Sequence, residues 1–271
     1  MRLSIHHTSH YRFTAPVSHG IQRLRLTPKE TQGQSILEWS MQLEGAREEL
    51  SYDDENFNHV TLVSVQEGVR EVVISSKGIV ETEDFQGVIG RHAGHMPVWA
   101  FLGQTELTKP GPKIRQLIGS VERSEDGMVP TLHRLSAAIR EAVGYDTGAS
   151  HVRTTAEEAV EQGGGVCQDH AHIFIAAARM LDIPARYVSG YLMMNDRIEQ
   201  EATHAWAEAY VQNLGWVGFD ISNQISPDTR YVRVATGRDY RDTAPITGIS
   251  FGAVEEDLHV DLAIEQQVVE Q

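Results

Sequence analysis

The sequence predicts an α+β protein in two parts: an N-terminal antiparallel, sandwich-like β domain, then helices packed on a second antiparallel sheet. Three observations carry this. Residues 1 to about 105 alternate apolar and polar side chains with period two. From Pro130 to Leu181 the spacing turns helical. From Ala185 the period returns to two.

In the first part the strands are Leu3-Ser4-Ile5, Ile21 to Leu26, Leu37 to Leu43, Val60 to Val65 and Val72 to Ser76. Turn residues separate them at Ala15-Pro16, Thr27-Pro28-Lys29, Glu44-Gly45 and Gln66-Glu67-Gly68. Half-apolar alternation means one face of each sheet is packed. His6, His7 and His10 read as strand surface. Gly103, Pro110, Gly111 and Pro112 crowd one short stretch, as at a boundary or linker. The expected domains are therefore 1–105 and 106–271.

In the second part Pro130 to Val143 carries Leu132, Leu135, Ala138, Ile139 and Ala142 at helical spacing. Thr154-Thr155-Ala156-Glu157-Glu158 contains two overlapping capping boxes and starts a second helix. A third begins near Cys167 and ends before Pro184, because the residue before proline resists the α region. Strands follow at Arg186 to Leu192, Thr203 to Val211, Trp216 to Ile221, Tyr231 to Ala235 and Leu258 to Ile264. The tail from Glu255 is acidic, without Lys or Arg, and reads as an exposed sheet edge with a frayed end.

Composition excludes some functions. The 23 Lys and Arg against 38 Asp and Glu give a net charge of −15. Nucleic-acid affinity rests on cations that neutralise phosphates, so no nucleic-acid partner is expected. Anionic membrane surfaces are disfavoured for the same reason. No apolar run approaches the ~20 residues that span a bilayer, and no export signal is visible at the N-terminus. Cys167 stands alone, which excludes intramolecular disulfides and Cys-rich zinc sites. A cytoplasmic setting is the expectation.

That cysteine follows Gly163-Gly164-Gly165-Val166 at a predicted helix N-terminus. The positive end of a helix stabilises a thiolate, and free N–H groups in its first turn can hold an oxyanion. A lone cysteine can equally be a small buried apolar residue. A nucleophile needs a base and an orienter, and these decide between the two. His204, in Thr203-His204-Ala205-Trp206-Ala207-Glu208, is the candidate base. Asp220, in Gly215-Trp216-Val217-Gly218-Phe219-Asp220, is the candidate orienter. Both positions are even, so a hairpin that puts them on one face needs an odd loop within Tyr210 to Leu214. Centring that hairpin on residue 212 sets His204 opposite Asp220, Trp206 over Gly218 and Glu208 opposite Trp216. In Asp169-His170-Ala171-His172 the two histidines point ~200° apart on a helix, so they cannot share a metal.

Gly165-Val166-Cys167-Gln168-Asp169, Ile183-Pro184-Ala185-Arg186-Tyr187-Val188-Ser189-Gly190-Tyr191, His204-Ala205-Trp206 and Gly215 to Asp220 together resemble the transglutaminase-like superfamily. They resemble most its bacterial transglutaminase-like cysteine peptidase branch. The resemblance is close from about Tyr145 to Tyr240 and looser over the first hundred residues. It implies a papain-like cysteine peptidase core behind a β-rich N-terminal region. It also implies Cys167 as nucleophile, His204 as base and acid, and Asp220 as orienter. Gln168, Tyr145 and Trp206 are further candidates for the oxyanion site or pocket. Two positions depart from the pattern: His170 replaces an aromatic, and Ile221-Ser222-Asn223 replaces a Pro-Thr pair after the aspartate.

The expected activity is acyl transfer through an acyl-enzyme, most simply hydrolysis of amide or isopeptide bonds in a protein or peptide. This chemistry requires no cofactor, and no EF-hand-like loop suggests calcium. Protein-glutamine or small-molecule N-acyltransfer uses the same residues. A non-catalytic binding module on the same fold is the other alternative.

Overall fold

The computed structural model describes residues 1–196, 198–200, 202–251 and 256–267. The first half contains β1 (Arg2–Phe13), β2 (His19–Leu24), β3 (Gln34–Glu44), β4 (Ala46–Asp53), β5 (His59–Val65), β6 (Glu71–Thr82) and the short β7 (Val88–Gly90). A 3-10 turn, Val98–Leu102, leads to α1 (Pro112–Gly119), α2 (Met128–Ala142), β8 (Gly144–Tyr145), α3 (Ala156–Gln162), β9 (Gly164–Gly165) and α4 (Cys167–Met180). Then come β10 (Ala185–Leu192), β11 (Glu199–Gln200), β12 (His204–Val211), β13 (Gly215–Phe219), β14 (Tyr231–Gly237), α5 (Tyr240–Thr243), β15 (Ile246–Phe251) and β16 (Glu256–Gln266).

Alternation builds the N-terminal sandwich. β1 buries every second side chain along most of its length, and Tyr11 and Phe13 pack with Val63, Val65, Val72 and Ile74 between two sheets. One sheet has the order β11-β16-β1-β6-β3, the other β15-β2-β5-β4. The third sheet, β14-β10-β12-β13-β7, belongs to the second half. α4 lies against it, with Asp169 to Arg179 all buried. This is the α+β architecture the patterning predicts.

Strand pairing crosses residue 105 in both directions. β7 precedes it yet pairs with β13, while β15 and β16 follow it yet pair with β2 and β1. β16 pairs with β1 along its length and buries Leu262 and Ile264, where the two-residue β11 covers it, while Asp257 to His259 stay exposed as expected of a sheet edge. The expected frayed end, 268–271, lies outside the described residues. Leu3, Ile5 and Val80 share one core with Tyr191, Val232 and Val234, which joins the halves by direct burial. His7 is also buried, contrary to expectation: its Nδ1 meets the Tyr191 hydroxyl at 3.0 Å, and burial pushes its imidazole down to about 4.

Nor is the Gly/Pro-rich stretch an open linker. Phe101, Leu107 and Thr108 are buried. The Arg179 guanidinium, at the end of α4, donates to the carbonyls of Phe101, Ala185 and Arg238 and to the Thr108 hydroxyl. One planar cation with five donors satisfies backbone that a loop would otherwise bury unpaired.

The halves are also joined along an open strand edge. β14 ends its sheet, and a bulge between Ser189 and Gly190 of β10 shifts its register. Two side-chain amides occupy β14's outer edge as a further strand would. Gln34 accepts from the Arg233 N–H at 2.8 Å and donates to its carbonyl at 2.8 Å. Asn58 does the same for Thr236, at 2.8 and 2.9 Å. Asn58→Leu should therefore leave a buried N–H and C=O unpaired. At about 1–3 kcal/mol per orphaned group, the expected loss is roughly 2–6 kcal/mol in urea unfolding. A loss below about 0.5 kcal/mol would mean that these amides do not hold the edge.

Candidate active site

The site depends on how closely α4 approaches β12. Ala205, Ala207 and Ala209 of β12 share one core with Ala171 and Ala176 to Ala178 of α4. Such small residues let the helix settle close to the sheet. The N-terminus of α4 then ends beside the start of β12, which brings Cys167 to His204.

The glycine run has specific work at two positions. Gly163 closes α3 in the left-handed region at φ +71. Gly165 lies under Asp169, whose Oδ2 would sit 2.7 Å from any added Cβ. Asp169 is buried and accepts from the Val166 N–H at 2.8 Å and the Ser150 hydroxyl at 2.5 Å, so it caps the helix that carries the thiol. β8 and β9 pair in parallel, with Tyr145 opposite Gly165. This short pairing brings Tyr145 to Cys167.

The imidazole of His204 donates from Nε2 to Asp220 Oδ2 at 2.7 Å, and Cys167 lies beside it, close enough to raise its proton affinity. Because the carboxylate occupies Nε2, Nδ1 is left for the sulfur. Asp220 Oδ2 further accepts from the Tyr231 hydroxyl at 2.6 Å and from Asn223 Nδ2 at 2.7 Å, and Oδ1 accepts from the Asn223 N–H at 3.1 Å. Burial opposes ionisation of Asp220, but His204, Tyr231 and Asn223 together hold its carboxyl below the usual range. Burial likewise opposes the imidazolium, yet Asp220 and Cys167 push His204 up to about 10.

The hairpin carries these groups with a corrected register. β12 and β13 pair Val211 with Gly215 and Glu208 with Gly218, so the centre is residue 213. The loop is odd as expected: Gln212 to Leu214, with Asn213 at φ +69. The shift of two residues preserves the shared face, and His204 reaches Asp220 diagonally rather than from directly opposite. Glu208 faces Gly218 and not Trp216. Trp206 lies over Gly190, where an added Cβ would meet its ring at 2.7 Å, while Gly218 is covered by Pro227. The indole is buried and stacks on His204 at 6.2 Å between centroids, forming a wall behind the imidazole.

Tyr145, half exposed, stands beside Cys167; burial first, then the charges of Cys167 and Asp220, push its phenol up to about 12. Gln168 turns away and donates to the Val152 carbonyl at 3.2 Å. The two departures from the family pattern meet each other. His170 Nε2 donates to the Val143 carbonyl at 3.0 Å, and Nδ1 accepts from the Ser222 hydroxyl at 2.8 Å. His172 is buried and accepts from the Tyr240 N–H, so the two histidines serve separate contacts. Tyr231 was not singled out in the sequence, where it is one aromatic among several on strands. Asn223, three residues past Asp220, carries a local signal, since an amide at that spacing can fold back on the carboxylate.

A cleft of about 670 Å³ opens over Cys167 and His204, with Tyr145, Leu192 and Met194 in its walls and Arg140 and Glu199 among its charged groups. Among the described residues no helix is long and apolar enough to cross a membrane.

Residues 115–221 match the transglutaminase-like superfamily, and residues 3–81 match the bacterial transglutaminase-like N-terminal region. An uncharacterized protein of Mycobacterium leprae is 28% identical over 97% of this chain and 98% of its own length. One from Mycobacterium tuberculosis is 27% identical over 97% and 92%. A solved chain from Cytophaga hutchinsonii named "putative cysteine protease" shares the fold, with a TM-score of 0.76 at 23% identity, over 100% of this chain and 92% of that one. The two matched regions are the two halves of the fold, and the chain belongs to the transglutaminase-like superfamily with a bacterial transglutaminase-like N-terminal region.

Proposed function

We propose that this protein is a thiol hydrolase, a cysteine protease or amidase that cleaves amide or isopeptide bonds in protein or peptide substrates. The observation that carries the reading is the 2.7 Å hydrogen bond between His204 and Asp220 with Cys167 beside the same imidazole, at the floor of an open cleft. The Cys167 thiolate attacks the substrate carbonyl, forming a C–S bond as the π electrons move to oxygen. In this reading the first-turn N–H groups of α4 and the Tyr145 hydroxyl receive that oxyanion. Protonated His204 gives its proton to the departing amine, the C–N bond breaks, and a thioester remains. Water then attacks the thioester and passes a proton to neutral His204, and the thiolate leaves with release of the acid. Asp220 stays ionised throughout and fixes the imidazole's orientation.

The test is trapping and turnover. A fluorogenic peptide-amide library should be hydrolysed by the native protein. Cys167→Ala should abolish turnover while leaving the far-UV circular dichroism unchanged. Asp220→Ala should lower kcat/KM by about 10²–10⁴-fold, as expected when an orienting carboxylate is lost. Transfer to added amine in place of water would favour a cross-linking acyltransferase. An intact thiol that neither alkylates nor forms any acyl-enzyme would leave only the binding-module reading.

The second expectation concerns pH. The folded-state value for His204 lies above the ordinary 6.5, so the ion pair contributes stability fully below pH 6.5 and loses it as pH rises toward 10. NMR titration should place the His204 midpoint well above 6.5. Cys167→Ser removes the sulfur beside the imidazole and should lower that midpoint. An unchanged midpoint would mean that the thiol and imidazole are not paired.

A further inference from the structure

A second pocket, of about 520 Å³, lies between the two halves at the turn of the β12–β13 hairpin. His204 is at the other end of that eight-residue strand, about 25 Å away at ~3.3 Å per residue. In a chain of net charge −15, this pocket is lined by Lys29, Arg91, Arg186 and Arg233, with Glu30 as the one lining carboxylate.

The nearby carboxylates are engaged. Glu208, fully buried behind the pocket, is shared: Arg186 Nε donates to its Oε2 at 2.7 Å and Arg233 Nε to its Oε1 at 2.7 Å. One carboxylate balances only one of those two cations. Asp54 pairs with Arg25 at 3.4 Å and caps Asn56 and Asn58. Glu30 accepts from the Ile36 N–H at 2.9 Å. Lys29 donates only to neutral oxygens, the Asn56 carbonyl, Asn58 Oδ1 and the Thr236 hydroxyl. Burial, together with Arg233 and Arg186, pushes its ammonium well below the usual range, against the opposing pull of Asp54 and Glu208.

The positive charge is also held rigidly. The Arg186 guanidinium lies 4.0 Å above the ring of Trp216, itself buried against Phe101. Asn56 lines the pocket, is 4% exposed, and its side-chain nitrogen has no hydrogen-bond partner. Phe57 and Leu214 add apolar surface, 43% and 44% exposed, and Phe57 is held in the left-handed region at φ +56.

We propose that this pocket binds an organic anion, its phosphate or carboxylate head set among Lys29, Arg186 and Arg233 and its apolar body against Phe57 and Leu214. The site is distinct from the thiol cleft and does not depend on the activity proposed for it.

The experiment is calorimetry and thermal melting of the full chain with phenyl phosphate, benzoate and inorganic phosphate, each against sodium chloride at equal ionic strength. Phenyl phosphate or benzoate should bind one per chain and raise Tm, and the tighter of the two identifies the head group. Arg91→Glu and Leu214→Glu, both at exposed positions, should keep the ligand-free Tm and weaken binding at least tenfold. Protein alkylated at Cys167 with iodoacetamide should bind as the native protein does. Heats and melts no different from chloride would overturn the proposal. So would binding that both variants leave unchanged, or that alkylation abolishes. Inorganic phosphate binding as tightly as phenyl phosphate would overturn the apolar half of the assignment.

Discussion

Where the thiol ends up is decided by the contact between α4 and β12. A helix on a sheet stands off by the size of the side chains between them, and here both elements bring alanines to the core they share. Period two then puts His204, Trp206 and Glu208 on the other face of the same strand. The strand thus answers two demands at once: small residues toward the helix, functional and anchoring residues away from it. A valine or leucine in place of Ala205 or Ala207 would lift the N-terminus of α4 and lengthen the path from sulfur to imidazole without touching either group.

The outward face of β12 carries charge that burial alone would expel. Glu208 is fully buried, and burial opposes its ionisation, yet Arg233 and Arg186 hold its carboxyl below the usual range. Replacing such a cluster with apolar side chains often costs a protein nothing, so its worth lies in what it specifies. Here it ties three strands together, since Arg186, Glu208 and Arg233 stand one each on β10, β12 and β14.

Much of this was legible in the sequence because it is periodic or local. Alternation marked β2, β5, β10 and β12, spacing marked α2 and α4, and the Thr155–Glu158 capping box marked the start of α3. Parity alone required the odd loop between His204 and Asp220. The register was missed by two residues because parity is blind to a shift of two. β4 was missed because its residues past Ala46 are exposed and mostly charged, so no apolar alternation marks it; it pairs as an edge strand guarded by charge. Contacts that join distant segments left no pattern at all. Arg179 reaching Phe101, Asn58 reaching Thr236 and Ser222 meeting His170 are each a long-range match between residues that look ordinary in isolation.

Those long-range contacts give the N-terminal half a physical bearing on the site. Gln34 and Asn58 hold the free edge of β14. β14 begins with Tyr231, whose hydroxyl supplies one of the three donors on Asp220 Oδ2. Asp220 in turn sets the orientation of His204, and His204 meets Cys167. The hydrogen bonds in this series end on buried or half-buried groups, where geometry is most tightly constrained. A sandwich that reached the helical core only through a linker would leave β14 with an open edge, held by β10 alone. The return of β15 and β16 into the N-terminal sheets closes the arrangement, because the chain leaves the core and re-enters the sandwich on both sides of the strands that carry the site. The two halves therefore fold as one body around the carboxylate, and the thiol and imidazole inherit their geometry from it.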